Sequence, residues 1–103
     1  MADSTYQDIL KSYEDRPSVQ LIRRIRGKKA LQAAAAVLDA DAAWLGGWSD
    51  AEKKGARGFL YTRKLRKGLR YGFKLVSLRG GEESILGHEV AEAAGPALVA
   101  RFR

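Results

Sequence analysis

The chain has no cysteine, a single histidine, and no apolar run near the roughly 20 residues that a membrane-spanning helix needs. Without cysteine there are no disulfides, thiolate metal sites or cysteine nucleophiles. His88 stands alone beside Glu89, so a paired-histidine centre is excluded and no metal or cofactor is expected. The opening "MADSTYQDIL" carries Asp3 and Asp8 and lacks a basic region followed by an apolar stretch, so it does not read as a secretory signal. Together these absences lead us to expect a cytoplasmic protein with no membrane segment.

Catalytic patterns are missing as well. "RGKK" around Gly27 lacks the upstream glycine and the following serine or threonine of a phosphate-binding loop, and the glycines between Gly46 and Gly72 form no dinucleotide fingerprint. Glu82 with Glu83, and Asp39 with Asp41, read as turn and cap residues because nothing apolar or cationic is placed to tune them. We assign no catalytic residue and expect no enzyme.

What the chain does have is positive charge, unevenly placed. Its 103 residues suit one small domain, 1–103, and carry a net charge of +7. Met1 to Ile22 holds two bases and four acids, whereas "RRIRGKK", Arg23 to Lys29, holds five bases and no acid. Ala30 to Glu52 has four acids and no base; Lys53 to Arg79 reverses this with ten bases and no acid. Such blocks, embedded in patterned apolar sequence, predict localised positive patches on a folded surface.

Periodicity suggests an α+β fold, N-terminal helices followed by a basic antiparallel β-hairpin or three-stranded meander. Ser4 and Gln7 have capping-box spacing, and Tyr6, Ile9, Leu10 and Tyr13 follow at helical spacing up to Arg16-Pro17. Pro17-Ser18 then opens a short second helix carrying Val19, Ile22 and Ile25 on one face. The alanine-rich "ALQAAAAVL" continues as helix towards Gly46-Gly47, and Ser49 with Glu52 starts another that Gly55 and Gly58 keep short. Around "RKG", a three-residue loop pairs Leu65 with Leu69 and Lys64 with Arg70. That register puts Phe59, Tyr61, Leu69, Tyr71 and Phe73 on an apolar face and Lys64, Arg70 and Lys74 on a basic one. Across "RGGE", Arg79 meets Glu82, Val76 meets Ile85, Leu75 meets Leu86 and Tyr71 meets Val90. A helix from Ser84, with Leu86, Val90 and Ala93, is the competing reading of residues 83–94. The tail "ALVARFR" alternates and suits an edge strand.

Function follows from the basic ribbon. Lys64, Arg66, Lys67, Arg70 and Lys74, supported by Arg23, Arg24, Arg26, Lys28 and Lys29, are expected to hold the phosphate backbone of DNA or RNA with little sequence preference. The bland alternatives are a solvated outer face for the hairpin bases and, for Lys28 and Lys29, a helix end answering its own dipole. Helices followed by a basic hairpin resemble winged-helix DNA-binding domains in outline, with "LRKGL" at the wing tip. Ala35, Asp39, Leu45 and Trp48 fit helix-turn-helix packing, but Ala42, Ala43, Gly46 and Gly47 stand where base-reading side chains are needed, so an ordinary helical hairpin is the better reading. Trp44 and Trp48 are either core residues or a docking knob for a second copy or another protein. The rival function is therefore a small accessory or inhibitory protein that docks on an acidic protein partner or a nucleic-acid-handling complex.

Overall fold

Both faces of the central sheet need apolar side chains, and that requirement organises the whole chain. The computed structural model describes residues 2–37, 49–79 and 82–102. In chain order they form helix α1 (Ala2–Glu14), strand β1 (Val19–Arg26), helices α2 (Lys28–Val37) and α3 (Asp50–Gly55), strands β2 (Arg57–Leu65), β3 (Gly68–Arg79) and β4 (Glu82–Ala91), a 3-10 turn (Glu92–Ala94) and helix α4 (Gly95–Arg101). The strands make one antiparallel sheet in the order β1-β2-β3-β4. No described helix is long and apolar enough to cross a membrane.

The α+β class holds, but the second expected helix is a strand. Val19 and Ile25 are β-branched, and Pro17 disfavours helix at Arg16. A bulge between Leu21 and Arg23 leaves Ile22 unpaired in the ladder with β2. That extra residue shifts the side-chain alternation, so Val19, Ile22 and Ile25 imitate a helical period. The sheet consequently has four strands rather than three.

The hairpin is also shifted by one residue from the expected register. Its turn is Arg66-Lys67, with Gly68 at φ +130°, and the ladder runs Leu65 to Gly68, Lys64 to Leu69 and Arg63 to Arg70. One residue of slip exchanges the faces of one strand relative to the other. Phe59, Tyr61 and Arg63 share a face with Arg70, Gly72 and Lys74; Leu60 and Thr62 share the other with Tyr71, Phe73 and Leu75. A single apolar face is not what selects the register here, because each face has its own cover. Tyr6 and Leu10 of α1 pack on Phe59 and Tyr61, while Ala30 and Leu31 of α2 and Leu98 and Phe102 pack on Ile25, Leu60, Phe73 and Leu75.

Gly72 makes this register fit. It pairs with Tyr61, whose ring lies across it so closely that a Cβ there would stand 2.8 Å from the ring carbon Cζ. The β3–β4 ladder has the expected partners from Tyr71 with Val90 to Arg79 with Glu82, so residues 83–91 are strand, not helix. The tail is a correction too: Pro96 lies in the first turn of α4, and Leu98 and Phe102, four apart, enter the core side by side.

Candidate nucleic-acid interface

Among the described residues, strand β1 lies at the edge of the sheet, paired with β2 alone. Its second half reads Arg23, Arg24, Ile25, Arg26, with Ile25 buried and the three arginines exposed. Alternation sends them both ways. Arg24 and Arg26 pair with Phe59 and Arg57 on the α1 face, whereas Arg23 pairs with Leu60 on the face covered by α2 and α4.

A groove therefore runs on either side of the edge. On the α1 side, about 290 Å³ is lined by Tyr6, Gln7, Arg24, Ile25, Arg26 and Arg57. Tyr6 is fixed there by donating its hydroxyl to the Gly58 carbonyl at 3.2 Å. Burial pushes its pKa up, and the charges of Arg24 and Arg57 oppose the rise, so both act on this groove. On the other side, about 380 Å³ is bounded by the same strand with Lys29, Ala30, Arg101 and Phe102. Among the described residues, the two linings contain Arg23, Arg24, Arg26, Lys29, Arg57 and Arg101 and no aspartate or glutamate.

Helix α1 separates this edge from a second basic area over β3 and β4. Tyr13, at the end of α1, has the Arg16 guanidinium 4.7 Å and the Lys74 ammonium 5.4 Å from its ring centre. Beside it Arg63 grips Glu89 with two bonds, Nε to Oε2 at 3.1 Å and Nη2 to Oε1 at 2.9 Å, and the Tyr61 hydroxyl donates to Oε2 at 2.9 Å. The Arg63 bonds hold the Glu89 carboxyl below its ordinary range, and burial, helped by Glu89, raises the Tyr61 phenol. These groups line an open groove of about 600 Å³ in which a carboxylate already occupies the arginine.

The expected site residues fall into three places. Arg23, Arg24, Arg26 and Lys29 belong to the β1 edge. Lys28, in the first turn of α2, bonds Asp50 of α3 at 3.2 Å, and Lys54 meets the same carboxylate at 3.2 Å. Those two lysines depress the Asp50 pKa. Lys28 and Lys29 thus open a helix rather than close one, and the dipole explanation does not apply.

The hairpin residues do not form one ribbon. Arg70 and Lys74 lie on the α1 face, Lys64 on the opposite one, and Arg66 and Lys67 at the turn. Because Arg24 pairs with Phe59, the turn at Arg66 is seven residues further along β2, roughly 23 Å at strand rise, so the two basic blocks stay apart. Nor is the hairpin a projecting wing, since β2 and β3 are the middle strands of the sheet.

Arg57 and Arg101 are the groove residues that the sequence analysis missed. Arg57 stood in the acid-free block but outside the expected hairpin, and Arg101 in a tail read as a strand. Trp44, Trp48 and most of the helix-turn-helix pattern lie outside the described residues. Comparison with protein-family models, with curated proteins and with solved structures gave no match to this chain.

Proposed function

We propose that the protein binds DNA or RNA through the phosphate backbone, with little sequence preference, and that the β1 edge is the principal contact. The observation that carries this reading is the set of six cations flanking β1, with no acid among the described residues of either groove lining. A surface built only for solubility mixes charge signs to limit self-repulsion. The hairpin bases Lys64, Arg66, Lys67, Arg70 and Lys74 form a secondary contact, reached only by a nucleic acid long enough to extend along the sheet.

Counterion release sets the scale. Five neutralised phosphates give a slope near −4.5 in log affinity against log salt on duplex DNA, from about −0.9 each. The test is a titration with duplex DNA, single-stranded DNA and RNA at several salt concentrations, beside a pull-down from nuclease-treated lysate. Saturable binding with a steep slope supports the proposal. No binding at low salt, together with an acidic protein retained after nuclease, replaces it with the accessory-protein reading.

A further inference from the structure

Cations on both sides of one strand are poorly arranged for a ligand that follows a single groove. Strand alternation places Arg24 and Arg26 with Arg57 on the α1 side and Arg23 with Lys29 and Arg101 on the other, with the edge of β1 as the ridge between them and Arg24 and Arg26 bordering the second groove as well. We propose that this ridge enters the major groove of B-form duplex DNA, so that each groove of the protein receives the backbone of one DNA strand. The inference rests on the phosphate-binding reading above and narrows it to one class of nucleic acid.

Dimensions and shape support the duplex. Stacked sheets lie about 10 Å apart, so the side-chain layer on each face is about 5 Å deep, and extended guanidinium groups on opposite faces stand on the order of 10–15 Å apart. The major groove of B-DNA is about 12 Å wide between its bordering backbones. A single strand has one backbone and would leave one set of cations unanswered. Duplex RNA has two, but its major groove is deep and too narrow for side chains to enter. The protein edge is also accessible: among the described residues β1 has no second neighbour, and its bulged Ile22 is 40% exposed. Ile22 is the one large apolar side chain so exposed among the residues whose side chains are described. An apolar group at the crest can touch thymine methyls but offers no hydrogen-bond code, consistent with weak sequence preference.

Two double variants separate the grooves: Arg24→Gln with Arg26→Gln on one side, and Arg23→Gln with Arg101→Gln on the other. All four arginines are exposed, so unchanged circular dichroism and melting are expected. Affinities for duplex DNA, duplex RNA and single-stranded DNA of the same sequence are measured by fluorescence anisotropy across a salt series. We expect duplex DNA to bind about tenfold tighter than either alternative, and each pair to remove about 1.8 from the salt slope, two phosphates at about 0.9 each. The corresponding lysine variants should restore the slope, because a phosphate contact needs the charge more than the fork. Loss of slope from one pair only, or duplex RNA binding as tightly as duplex DNA, overturns the straddling geometry and leaves phosphate binding standing. Failure of all three nucleic acids to bind removes both.

Discussion

Replacing Gly72 by alanine asks which register the hairpin has, because the two registers predict opposite signs. In the structure Gly72 pairs with Tyr61, and a new Cβ would stand 2.8 Å from Tyr61 Cζ and Oη and 2.9 Å from Glu89 Cγ. The ring must lift, which strains the aromatic packing with Tyr13 and Phe59 and breaks the Tyr61–Glu89 hydrogen bond. Overpacking of this kind costs about 1–3 kcal/mol, against a gain of about 0.4–1 kcal/mol from the stiffer unfolded chain. A net loss of about 1.3 kcal/mol lowers the melting temperature by roughly 5–10 °C in a domain of this size. Thermal melts followed by circular dichroism read the change directly. The expected three-residue loop would put Gly72 opposite Thr62 on the outer face, where alanine improves a strand. A melting point that rises by a few degrees would refute the two-residue turn and, with it, the division of Lys64 from Arg70 and Lys74. As a cross-check, Tyr61→Leu shortens the offending ring, so Gly72→Ala should cost less in that background.

Two other perturbations test the cover of the sheet and the groove beside Tyr13. Phe102→Ala removes a ring packed 5.4 Å from Phe73, and should lose about 3–5 kcal/mol in urea unfolding; a loss below about 1 kcal/mol would mean that α4 does not cap the core. Glu89→Gln should be less stable than the parent protein at pH 7. The folded Glu89 pKa is depressed, so its contribution is complete above the ordinary glutamate value of 4.5 and fades as the pH falls through the lowered one. The two stability curves should therefore converge in acid, and a gap that stays constant down to pH 3, on the order of one unit below that value, would contradict the pairing with Arg63.

The sequence revealed most where local patterns and tertiary demands agreed. Tyr6, Leu10 and Tyr13 mark α1 because one helix face meets one sheet face. The β3–β4 partners from Tyr71 with Val90 to Arg79 with Glu82 follow from the Gly-Gly signal. Strand β1 was obscured by its own bulge, since the extra Ile22 moves the apolar side chains from one face of the sheet at Val19 and Leu21 to the other at Ile25. The hairpin register was misread through the assumption of one wet face, when α1 packs on that face and Gly72 reserves room for Tyr61. The candidate site was half visible: "RRIRGKK" announced its charge, but only the pairing of Arg26 with Arg57 and the docking of α4 gather Arg57 and Arg101 beside it. Those two contacts are long-range and leave no local mark in composition.

The most direct measurement of the central claim is an NMR titration of the isotopically labelled protein with a short DNA duplex at about 50 mM salt, where phosphate contacts remain strong. Amide shifts should concentrate at Arg23 to Arg26, Lys29, Arg57 and Arg101, saturate together, and collapse on adding salt. Shifts confined to Lys64 to Arg70 at the hairpin turn, or no saturable shift at all, would contradict the assignment of the β1 edge as the nucleic-acid contact.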